Sequence, residues 1–208
     1  MKIFQRAQAL VALSVFTTAV AGADPISEKP PTGHIRFETK VSDLRLGSNS
    51  LAAGLKPDDQ IFIALPGEIF SQAVDIAPVP QADVQRSTLE GAAASDYAAF
   101  RAGDTAWIAA NFARAEKEKI QADFTDQLIL GRARDLFASY TQKKIVGRAI
   151  YKNYTIFFVN YRDWPVHLHA EVYTKEGNDW KRSNALADDE GFDIVAAALK
   201  SGRATPLK

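Results

Sequence analysis

Hydrophobic and polar residues change their rhythm twice along this chain. From His34 to Val41 they alternate, with Ile35, Phe37 and Val41 on one side and Arg36, Glu38 and Lys40 on the other. This predicts a strand with one wet face. Gln60 to Leu65 predicts a short apolar strand, stopped by Pro66-Gly67. Glu68 to Gln85, with Pro78 and Pro80, reads as a connector with a short strand around Val74 to Ile76.

The period becomes helical from Ser87. Ser87-Thr88-Leu89-Glu90 has the form of a capping box, in which the Ser oxygen and the Glu carboxylate satisfy backbone N–H groups at a helix start. Leu89, Ala93, Tyr97 and Phe100 follow at helical spacing. Gly103 ends that helix and Asp104 caps the next, which turns Trp107, Ile108 and Phe112 inward. A third helical stretch runs from Glu116 towards Tyr140 with an interruption around Gly131, and Ile120, Phe124, Leu128, Leu136 and Phe137 face inward. After Thr141 the period is two. Lys144 to Lys152, Tyr154 to Arg162, Val166 to Lys175 and Asp179 to Leu186 are four successive strands, joined by Asn153, Asp163-Trp164-Pro165 and Glu176-Gly177-Asn178. Connections this short make the neighbours antiparallel. Asp188 to Lys200 closes the chain as a short helix carrying Phe192, Ile194, Val195 and Leu199. Helices followed by an antiparallel sheet are an α+β arrangement, with the helices expected on one face of the sheet.

The first 23 residues follow neither rhythm. Lys2 and Arg6 precede an uncharged stretch from Ala9 to Val20, which closes on the small residues Ala21-Gly22-Ala23. These are the three parts of a secretory signal peptide cleaved before Asp24. The apolar run is shorter than the roughly 18–20 residues that cross a bilayer. The mature chain is therefore expected in the periplasm or outside the cell. It divides into a flexible, Pro-rich leader (24–33), an N-terminal β segment and connector (34–85) and an α+β domain (86–208). With no cysteine the chain has no disulfide and no lipid-bearing Cys, so the fold rests on core burial.

Removing Lys2 and Arg6 from 25 basic residues leaves 23 against 25 acidic ones. A near-neutral domain lacks the clustered Lys and Arg that nucleic-acid binding needs. No other segment is long and apolar enough to span a membrane.

Ser95-Asp96-Tyr97-Ala98-Ala99-Phe100-Arg101-Ala102-Gly103-Asp104 resembles the opening helix and Gly-Asp turn of the NTF2-like (SnoaL-like) superfamily. Tyr154 to Tyr161 and Val166 to Thr174 are similar to that superfamily's long paired strands, and Glu176-Gly177-Asn178-Asp179-Trp180-Lys181 to its final turn and strand. The resemblance spans about Thr88 to Leu186. It implies a cone, with N-terminal helices on a curved antiparallel sheet enclosing a pocket, often in a homodimer. The segment from His34 to Ile76 is additional to that pattern. The superfamily contains both enzymes and members that only bind, so no activity follows.

His167-Leu168-His169-Ala170-Glu171 is the sharpest constellation. On a strand His167, His169 and Glu171 share one face, where two imidazoles and a carboxylate could bind a divalent metal or act as acid and base. The same pattern also describes the wet outer face of a strand, or a dimer surface. No third ligand is identifiable, so no metal is expected. Asp96 is a further acid–base candidate. Tyr161, Trp164, Tyr173 and Trp180 are either a platform for a sugar ring or cross-strand core pairs. Asp188-Asp189-Glu190 reads as a helix cap. A phosphate loop, a nucleophile elbow and zinc-type spacing are all missing, and no cofactor is expected. The predicted pocket is lined by Tyr97, Trp107, Phe112, Tyr154 and Phe158, and by His167 and His169 in one of two strand registers. The expected function is non-enzymatic binding of a small ligand or a cell-envelope partner. The alternative is a small pocket enzyme, isomerase- or hydrolase-like, using His and Asp.

Overall fold

The computed structural model describes residues 26–45, 49–161 and 167–207. The predicted signal sequence and the predicted turn Asp163-Trp164-Pro165 lie outside the described residues. Among the described residues the protein is α+β, with five α-helices and a seven-stranded open antiparallel sheet.

The first two strands, β1 (His34–Lys40) and β2 (Gln60–Ile76), precede four helices: α1 (Leu89–Ala102), α2 (Thr105–Asn111), α3 (Lys117–Asp123) and α4 (Gln127–Ser139). A meander follows: β3 (Lys143–Tyr151), β4 (Tyr154–Asn160), β5 (His169–Glu176) and β6 (Asp179–Arg182). The chain ends in α5 (Glu190–Lys200) and β7 (Ala204–Leu207). The sheet order is β6-β5-β4-β3-β2-β1-β7, so the N-terminal strands extend the meander's own sheet. β7, not foreseen in the sequence, pairs with β1 along Phe37↔Ala204.

β2 does not stop at Pro66-Gly67. It runs straight through and changes partner there: Gln60 to Pro66 pair with β1, and Gly67 to Ile76 pair with β3 across a bulge. Proline lacks a donor, but at Pro66 the ladder with β3 has not yet begun, so no bond is lost. Gly67 then donates its N–H to Gly33 O at 2.9 Å. A Cβ at Gly67 would lie 2.8 Å from Arg148 O, which only glycine avoids.

The helix signals are local, and the structure follows most of them. Gly103 closes α1 in the left-handed region at φ 65°, and Asp104 accepts from Trp107 N at 2.9 Å. Two details differ. Thr88, not Ser87, caps α1 by accepting from Gly91 N at 3.1 Å, and the Glu90 carboxylate accepts from the Ile26 N–H instead of closing a capping box. The break in the third helical stretch falls at Phe124–Asp126, not at Gly131. Asp126 there caps α4 through Leu128 N at 2.8 Å, and Gly131 stays inside the helix. Leu128 and Leu136, expected inward, are exposed, because α4 lies over α1 and away from the sheet.

The sheet is covered on both faces, not on one. Tyr97 and Ala93 of α1 pack on Phe157, Val159, Tyr161 and Tyr173. On the other face Val195, Ala198 and Leu199 of α5 pack on Ile35, Phe37, Ile156 and Phe158. Successive side chains of β4 alternate between the two cores, which explains its unbroken run Ile156-Phe157-Phe158-Val159.

The leader is docked from Ile26 onward. Ile26 is buried against Ile76 and Leu89. Arg148 donates to Ser27 O and Lys29 O, and Glu28 pairs with Lys175 at 2.7 Å and accepts from Trp180 Nε1 at 3.0 Å. No helix among the described residues is long and apolar enough to cross a membrane.

Candidate functional site

A half-open cleft of about 750 Å³ lies at the end of the sheet where β4 finishes and β5 begins. Three walls define it. α5 contributes Phe192, Ala196 and Lys200, which are four residues apart and form one stripe of its less buried positions, flanked by buried Val195 and Leu199. The second wall is aromatic: Tyr140, just after α4, stacks on Tyr161 at 4.5 Å and 23°. His167, Leu168 and His169 supply the third, and Arg45 reaches in from the segment after β1. The volume is in the range of ordinary small-molecule sites, roughly 300–1,000 Å³.

Both candidate histidines reach this cleft, by different routes. β5 starts at His169, whose ring lies edge-on to Tyr161 at 5.7 Å. His167 precedes the strand, so its alternation does not apply, and its Nδ1 sits 3.1 Å from Lys200 O on α5. Both residues are exposed. Glu171 shares the strand face of His169, since both meet Tyr161, but it is buried and is not part of the cleft wall. It turns into the core.

That core position is the centre of a buried polar cluster behind Tyr161. Lys143 at the start of β3 is 0% exposed, and its Nζ lies 2.7 Å from Glu171 Oε2 and 3.3 Å from Ala93 O. The Tyr161 hydroxyl donates to Glu171 Oε1, and the Tyr173 hydroxyl donates to Oε2 at 3.2 Å. Arg182 on β6 bonds Asp96 Oδ2 at 2.5 Å, lies 3.7 Å from Glu171 Oε1 and packs its guanidinium over the Phe100 and Phe112 rings. Two cations thus face two carboxylates.

Burial alone would raise the Glu171 pKa. The charges of Lys143 and Arg182, with hydrogen bonds from Lys143 and Tyr161, outweigh it and hold the group at about 2. Asp96 is the opposite case: burial dominates and keeps it above the ordinary carboxylate range despite Arg182 and Lys143. Burial, then the Glu171 charge, pushes the Tyr161 hydroxyl well above the phenol range. Tyr161 is therefore a neutral donor with its proton committed to Glu171, and only its ring belongs to the cleft.

The five residues expected to line a pocket are not brought together. Tyr97 lies in the core between α1 and the sheet, with its hydroxyl on Tyr140 O at 3.0 Å. Trp107 and Phe112 pack among the helices, and Tyr154 and Phe158 are on the α5 side of the sheet. Asp96 is not part of the cleft wall. Trp180 is partly buried beside the leader, and Tyr173 is core. Asp189, of the acidic triplet read as a cap, does cap α5 through Phe192 N at 2.9 Å.

Sequence reasoning missed Arg45, Tyr140, Phe192, Lys200, Lys143 and Arg182. The stripe Phe192, Ala196, Lys200 was visible as the outward face of an amphipathic helix. Lys143 was visible as the residue two before buried Ile145, hence on the same strand face. Among the described residues, no three His, Cys, Asp or Glu side chains gather where they could hold a metal ion. Comparisons of the chain with protein-family models, with curated proteins and with solved structures find no match. Fold and site define an α+β domain with a solvent-open cleft at one end of its sheet.

Proposed function

We propose that this chain is exported and binds a small organic molecule in the cleft between α5 and the end of the sheet, without carrying out chemistry on it. The observation behind this reading is the cleft itself, where an aromatic pair, an apolar helix stripe and several polar groups converge on one space of ligand size. Acid–base catalysis has less support. The imidazoles are exposed, Asp96 is bound to Arg182 elsewhere, and the Tyr161 proton is held by Glu171. The fold reading we propose is an elaborated NTF2-like domain. The order of α1–α4 before the β3–β6 meander, and the Gly103-Asp104 corner, support it; β1, β2, β7 and α5 are then additions. The test is a thermal-shift survey of small molecules against the mature chain and its Ala196→Trp variant, which fills the cleft. At least one compound should raise the melting temperature of the wild type and leave the variant unmoved. A survey with no stabilising compound, or with equal shifts in both proteins, refutes the reading.

A further inference from the structure

We infer that the cleft selects an organic anion, with a single carboxylate-type charge on an apolar, flat body; this rests on the binding role proposed above. The cleft wall carries two permanent cations, Arg45 and Lys200, together with the His167 and His169 imidazoles, and its described residues include no Asp or Glu. Carboxylates close by are already engaged. Glu171 is held behind Tyr161 by Lys143, and Asp193 accepts from Arg45 N at 3.2 Å. An entering anion therefore meets a positive field in a partly desolvated space, where charge-assisted hydrogen bonds are strongest.

The number of charges argues for one rather than several. Arg45 spends part of its charge locally: its Nε is 4.0 Å from Asp193 Oδ1, and its NH2 donates to Ala187 O. Lys200 makes no ion pair among the described residues and is the full charge at the site. A polyphosphate would leave charge uncompensated, and a neutral ligand would gain nothing from the exposed Lys200 charge. The apolar requirement comes from Phe192 and Ala196 on α5, from Leu168, and from the stacked Tyr140 and Tyr161 rings. A flat hydrocarbon body satisfies all of these, because aromatic faces stack on planar groups.

The experiment uses three probes of one shape on the mature chain: naphthoate, naphthamide and naphthylmethylammonium, titrated calorimetrically at low salt. Naphthoate should bind about tenfold more tightly than naphthamide, the difference expected for one charge-assisted hydrogen bond, and the ammonium probe should bind most weakly. Lys200→Met should reduce naphthoate affinity about tenfold and leave naphthamide within roughly twofold. Arg45→Met should act in the same direction. Equal binding of naphthoate and naphthamide, or preference for the ammonium, overturns the anion assignment and leaves the cleft as a ligand site. Naphthoate affinity unchanged by both substitutions also overturns it, since the charge is then read elsewhere. Failure of all three probes to bind the folded wild type counts against the cleft reading itself, and the anion assignment falls with it.

Discussion

Lys143 and Glu171 start from different strands, 28 residues apart, and meet at 2.7 Å where neither side chain has meaningful access to water. Such a pair adds little net stability when compared with an apolar replacement, yet removing one member strands the other charge in the core. Glu171→Gln and Lys143→Met should each cost about 3–5 kcal/mol. The double variant should cost clearly less than the two added together, because neither charge is left behind, and the substituted amide's carbonyl can still accept from Tyr161. Urea unfolding of the four proteins measures this as a coupling energy. Simple additivity would mean the pair does not form.

The same carboxylate sets an acid limit. Glu171 is held at about 2 in the fold against an ordinary value of 4.5. A lowered folded-state pKa stabilises above the unfolded value, and this contribution is lost as pH falls from about 4.5 towards 2. Its size is about 3 kcal/mol. Glu28, Asp189 and Glu190 are lowered too, by their hydrogen bonds and ion pairs, so the wild type alone does not isolate Glu171. The difference between wild type and Glu171→Gln does. That difference should shrink across this window in urea midpoints taken from about pH 5 to about pH 2. Asp96 works the other way: its raised pKa means that its charge costs stability at neutral pH, and the cost disappears on protonation. A constant wild-type-minus-variant difference through the window would contradict the assignment for Glu171.

What the sequence revealed was local, and what it hid was the meeting of distant residues. Gly103 and Asp104 could be read because a left-handed cap and a carboxylate N-cap depend on a few neighbouring positions. Pro66-Gly67 misled because in isolation it looks like a strand stop. Only the partner switch from β1 to β3 makes proline harmless and glycine necessary there. The Ile156 to Val159 run carried a readable sign of two covered faces, and reading the helices as a single layer missed it. The histidines were the right residues under the wrong geometry. The strand begins at His169, so His167 answers to α5, and Glu171 answers to a lysine that no spacing rule could link to it.

Processing before Asp24 fits the way the next residues are held. Ile26 is buried in the main core and its N–H is taken by Glu90, so the chain is anchored at the first described residue. Intact mass of the exported protein should correspond to a chain starting at Asp24. A mass that retains Met1 to Ala23 would refute both the cleavage and the export proposed from it.

Trp107 separates core from site. The sequence predicts it as a pocket lining, but its ring packs among Phe100, Ile108 and Phe112, and its Nε1 donates to Ser95 Oγ at 3.0 Å. Ser95 in turn donates to Asn111 Oδ1 at 2.8 Å, and Arg86 donates to the same oxygen. Trp107→Ala opens a cavity and removes a donor from this buried string, so it should cost about 3–5 kcal/mol. The cleft is formed by other elements, and additivity holds for sites without shared partners. Under conditions where the variant stays folded, its naphthoate affinity should therefore match the wild type. Ala196→Trp should show the reverse: stability close to wild type, because Ala196 faces the cleft rather than the core, and naphthoate binding lost. Denaturation curves and calorimetric titrations on the two variants check this together. If Trp107→Ala abolishes binding while still folded, the ligand lies among the helices, and the cleft at the end of the sheet is not its site.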